Sequence, residues 1–86
     1  MTREESIQRG QRAQNLLNDE VLISTLDTME AEYLKAWRDS KPVETEFREQ
    51  LWMLSGLIKE FRVHLNVTAS NGKMDQAQID KLRKQK

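Results

Sequence analysis

Cysteine is absent from this chain. That excludes disulfides and thiolate metal sites, and it suits a reducing compartment. Proline occurs once, at Pro42, and the three glycines, Gly10, Gly56 and Gly72, stand isolated. Isolated glycines make no glycine-rich loop of the kind that cradles phosphate. No apolar run approaches the roughly 18–20 residues needed to cross a bilayer. The start, MTREESIQRGQ, has no apolar core for a secretion signal. Nowhere do apolar and polar residues alternate strictly over a strand's length, so no β signal competes with helix. There are no internal repeats or low-complexity tracts. At 86 residues the chain is one domain. A domain this small buries only roughly 60–65% of its unfolded surface, so its stability margin is narrow.

What is present is helical periodicity. Phe47, Leu51, Leu54, Ile58, Phe61 and Leu65 are spaced by alternating steps of four and three. That is the seam of a helix packed along its length against another, and Leu54 is expected at its centre. The spacing predicts a long helix over 44–70, ended by Asn71-Gly72 as a left-handed cap. A short helix over 76–84, opened by Asp75 and Gln78 as a capping box, leads into a basic tail. Upstream, Leu22, Leu26, Met29, Tyr33 and Trp37 mark a helix over 20–39. Asn18 or Asp19 is its expected N-cap. Ser40-Lys41-Pro42-Val43 forms the main break, because proline disfavours helix in the residue before it. A short helix over 3–17, interrupted by Gly10, completes the chain. The expected fold is all-α: an antiparallel αα-hairpin of two long helices, short helices at both termini, and completion by oligomerisation.

Oligomerisation is expected because one hairpin leaves apolar surface uncovered. Trp52 and Leu57 flank the seam of the long helix, and Ile23 and Leu34 flank the seam of its neighbour, with Trp37 at its end. These five residues are the interface candidates. Apolar burial contributes roughly 25 cal/mol per Å², so leaving them wet would forfeit much of a small domain's stability. One of Trp52 and Leu57 is expected to face the terminal helices and the other a second subunit or partner. Gly56, inside the long helix, is explained either by close approach of another backbone or by a mild kink.

Catalytic and metal chemistry find no footing. His64 is the only histidine, and with Glu60 it makes half a metal site. Asp27, Glu30, Glu32 and Asp39 read as a solvated helix face rather than a ligand set. No serine lies in a nucleophile motif, and the sequon Asn66-Val67-Thr68 falls inside a helix. The reading is of a protein that is no enzyme and takes no metal or cofactor. Charge is balanced overall but split along the chain. Residues 18–46 hold eight acids and three bases, a net −5, and residues 73–86 hold five bases and two acids, a net +3. Lys81, Arg83, Lys84 and Lys86 are the candidate polyanion contacts, and Arg3, Arg9 and Arg12 would join them if the termini meet. A membrane role is not expected, because the basic tail lacks a large apolar face.

The segments RGQRAQNLL (9–17), LDTMEAEYLKAW (26–37), EFREQLWML (46–54) and NGKM (71–74) carry a resemblance that spans most of the chain. In them the chain resembles small phage-encoded helical proteins from virion-morphogenesis and DNA-packaging gene clusters. The resemblance implies a non-catalytic accessory or structural phage protein. It would act through helix–helix protein–protein interaction in virion assembly or DNA packaging. The implied partners are further copies of the chain or other phage proteins. The implied location is the cytoplasm of an infected bacterial host, or the virion itself. The alternative is a nucleic-acid-binding packaging or regulatory protein, similar in role to a small terminase subunit.

Overall fold

The computed structural model describes residues 1–84. It is all-α, with three helices: α1 (Arg3–Leu17), α2 (Glu20–Asp39) and α3 (Thr45–Lys84). No strand occurs among the described residues. The described residues fall into two compact units. The first joins Met1–Asp19 to the part of α3 from Val63 onward, and the second is Glu20–Arg62.

α1 is capped by Thr2, an N-cap that the sequence analysis does not name. The Glu5 amide donates to Thr2 Oγ1 at 3.1 Å, and the Thr2 hydroxyl donates to Glu5 Oε1 at 3.2 Å. The signal, Thr-x-x-Glu just before a helix, is legible at positions 2–5. Asn18 closes α1 rather than opening α2: its amide donates to the Gln14 carbonyl. The break before α3 lies where Pro42 predicts it. There the Glu44 amide donates to the Lys41 carbonyl at 2.9 Å, and the Lys41 amide donates to Glu44 Oε1 at 2.8 Å.

α3 corrects the boundaries read from sequence. It is one helix of 40 residues, not helices over 44–70 and 76–84 with a cap between. Asn71-Gly72 does not end it, and no glycine in the chain has positive φ. The reason lies across the helix. Within the first unit, Gly72 faces Gly10 of α1. A Cβ on Gly72 would stand 2.8 Å from Gly10 Cα, and one on Gly10 would stand 2.7 Å from Gly72 Cα. Glycine is used here for backbone approach, not for a left-handed turn. Ala13 and Ala69, both 4% exposed, extend this crossing of small residues. Gly10 thus does not interrupt α1 but seats it. Asp75 and Gln78 lie mid-helix, so they form no capping box.

In the second unit the buried residues are Leu26 of α2 and Leu51 and Ile58 of α3. Leu22, Met29 and Tyr33 are half-buried around them. Leu54, expected at the centre of the seam, is 40% exposed, and Phe47 and Phe61 are 43% and 46% exposed. The four-three alternation is two parallel rows, 47/54/61 and 51/58/65. A single neighbouring helix covers one such ridge, and the second row needs another neighbour.

Candidate functional site

α2 and the first part of α3 meet in a fixed register. Arg62 Nε donates to Glu30 Oε1 at 2.9 Å, and its Nη2 donates to Asp27 Oδ1 at 2.8 Å. Asp27 and Glu30, a helical i, i+3 pair on a solvated face, converge on one guanidinium. The hydrogen bond to Glu30, together with that to Asp27, holds the Arg62 pKa above its ordinary value despite some desolvation. Toward the other end of the same contact, the Arg48 guanidinium carbon lies 4.2 Å from the centroid of the Trp37 ring, a cation–π contact. The buried Arg48 Nε has no hydrogen-bond partner. The ring face is thus the group that receives this cation.

Trp37 is held in this way at the wall of an apolar cleft of about 280 Å³, lined by Tyr33, Leu34, Trp37, Leu51, Trp52 and Ser55. Three of the five interface candidates, Leu34, Trp37 and Trp52, meet here. Trp52 is 75% exposed and Leu34 50% exposed, so the cleft opens to solvent. Ser55 and Leu34 also border a wider groove that includes Asp27, Glu30, Lys59 and Arg62. An apolar pocket thus continues into a charged one along the same flank.

Leu57 and Ile23 do not line this cleft. Leu57 is 61% exposed and Trp52 75%, so neither is buried. The expectation that one of them faces the terminal helices is corrected: both face outward. A single helix neighbour leaves each flank of α3 open. Nor does another backbone approach Gly56, where an added Cβ would meet nothing within 4 Å.

Lys81, Arg83 and Lys84 occupy the last turn of α3, where positive charge suits the helix macrodipole. They are exposed, in the unit that also contains α1. Lys86 lies outside the described residues. Arg83 shares a shallow pocket with Glu4, Ile7 and Gln8 of α1. Arg9 and Arg12 line a separate groove with Ala13, Leu16, Leu65 and Thr68.

No group of three or more histidine, aspartate or glutamate side chains clusters as a metal site would among the described residues. His64 is exposed. No described helix is long and apolar enough to cross a membrane. Comparison with protein-family models, curated proteins and solved structures finds no match to this chain.

Proposed function

We propose that this chain is a non-catalytic interaction protein that docks an apolar segment of a partner in the Trp37–Trp52 cleft. The observation that carries this reading is the gathering of two exposed tryptophans and Leu34 around one open apolar cleft. Tryptophan is favoured as an interface anchor because a large rigid area is buried at low entropy cost. Glu20–Arg62 acts as an antiparallel αα-hairpin. Its Arg62 and Arg48 contacts fix the register of α2 on α3 and so hold the cleft in shape. A preorganised cleft loses less entropy when it binds. The resemblance to small phage proteins supplies the setting: assembly of the virion or packaging of its DNA.

The test compares proteins that co-purify with the full chain, and with its Trp52→Glu variant, from the native host. The expected result is at least one protein retained by the wild type and lost by a variant of unchanged helicity. Identical sets would defeat the reading. Titration with duplex DNA probes the nucleic-acid alternative. Binding that falls steeply with salt, and that is abolished by neutralising Lys81, Arg83 and Lys84, would put that alternative in its place.

A further inference from the structure

None of the residues lining the tryptophan cleft is charged, and Tyr33, Trp37 and Trp52 among them are aromatic. They include both tryptophans and the only tyrosine of the chain. Each of these side chains carries a donor, the indole N–H or the phenolic O–H, and Ser55 adds a hydroxyl. Among the described residues none of these side-chain donors is hydrogen-bonded to another group of the protein. The Arg48 contact with Trp37 is made to the ring, not to its N–H. An indole only donates, so the acceptors among the lining side chains are the hydroxyl oxygens of Tyr33 and Ser55. The cleft is apolar, uncharged and richer in donors than in acceptors.

An occupant that covers these rings takes their donors out of water. It must then supply acceptors, because a donor buried without one forfeits its hydrogen bonds to solvent. A helix meets this demand poorly, since its carbonyls are spent on its own ladder. A β-type segment brings bare carbonyls, but also N–H groups for which the cleft has few acceptors. A polyproline-II segment brings carbonyls free of internal bonds, and each proline in it removes one N–H. Its uncharged rings also pack well on aromatic faces. We infer that the occupant of the Trp37–Trp52 cleft is a proline-rich segment of a partner protein in the polyproline-II conformation. The inference deepens the docking reading above and rests on it.

Two further observations agree with this occupant. The 86 residues hold a single proline, Pro42, so a second copy of them does not supply the segment. The Trp37 wall is held in place by Arg48 before anything binds. A polyproline-II segment is itself stiff, so neither side loses much freedom on docking.

Both tryptophans line the cleft, so intrinsic fluorescence reports on it directly. Decaproline is the probe, titrated into the full chain at fixed salt. An amphipathic helical peptide of leucine and lysine is the comparison. A saturable fluorescence change is expected with decaproline and none with the helical peptide. Tyr33→Phe and Trp52→Phe each keep an aromatic ring and remove one donor. Each is expected to weaken decaproline binding about two- to tenfold, with helicity unchanged. Trp37 remains the reporter in Trp52→Phe. No response to decaproline overturns the inference, and so does binding that neither variant weakens. Binding of the helical peptide in place of decaproline overturns it while leaving the docking reading standing. If neither peptide binds, the inference falls, and a Trp52-dependent partner retained from the host still upholds the docking reading.

Discussion

Where α1 meets α3, the residues at closest approach are Gly10 and Gly72, with Ala13 and Ala69 beside them. Where α2 meets α3, the buried residues are Leu26, Leu51 and Ile58, and an arginine bridges two acids at the edge. The first contact brings two backbones together and leaves no room for an added methyl group. The second is made by long side chains that keep the backbones apart. Small residues close a contact completely. Large ones on helices with wide apolar stripes leave surplus surface, and here that surplus holds Trp52, Leu54, Leu57 and Phe61. Within one chain, side-chain size distinguishes a contact that closes from one that leaves apolar surface open.

Substitutions that exchange the two styles should break the contrast in a graded way. Ile58→Ala removes buried methyl groups from the larger contact and should destabilise the chain by about 3 kcal/mol. Thermal melting by circular dichroism checks this, and a loss below about 1 kcal/mol would mean that Ile58 is not at the centre. Gly10→Ala has a smaller but still severe effect. Its Cβ would meet Gly72 Cα at 2.7 Å, so the helices must separate, at a cost of about 2 kcal/mol. Helix propensity alone would make the same change favourable, so the sign of the shift decides whether the close approach exists.

Gly56→Ala sharpens the comparison from the other side. Its Cβ enters open space, so the substitution should stabilise the chain by up to about 1 kcal/mol. Destabilisation at high concentration only would instead reveal a neighbouring chain against Gly56. Arg62→Gln has the smallest effect. Its side chain is 25% exposed and those of Asp27 and Glu30 are 66% and 44% exposed, so loss of both bridges should cost about 0.5–1 kcal/mol. The difference from wild type should shrink with added salt, because exposed ion pairs are screened.

Part of the candidate site was legible before any coordinates. Leu34 and Trp52 are large apolar residues outside the main stripes, and Trp37 closes the stripe of α2, so spacing alone marks them as candidates. Leu54 was misplaced because the four-three pattern is the same whether a helix has one neighbour or two. Asp27 and Glu30 passed as solvated acids because Arg62, their common partner, lies more than thirty positions away. Gly72 passed as a helix cap because glycine serves both left-handed turns and backbone contacts. Only the location of Gly10 separates the two uses.

By itself the sequence determined that the chain is helical, that it breaks around Pro42, and that it carries more apolar surface than one layer of helices can bury. These follow from local rules: periodicity, the steric demands of proline, and the count of large apolar side chains. Only the tertiary structure decided that α3 runs unbroken through Gly72, which heptad row α2 covers, and which flanks stay open. Those outcomes depend on which residue from elsewhere in the chain stands opposite. Helical periodicity repeats along a segment, but it holds no information about what that segment faces.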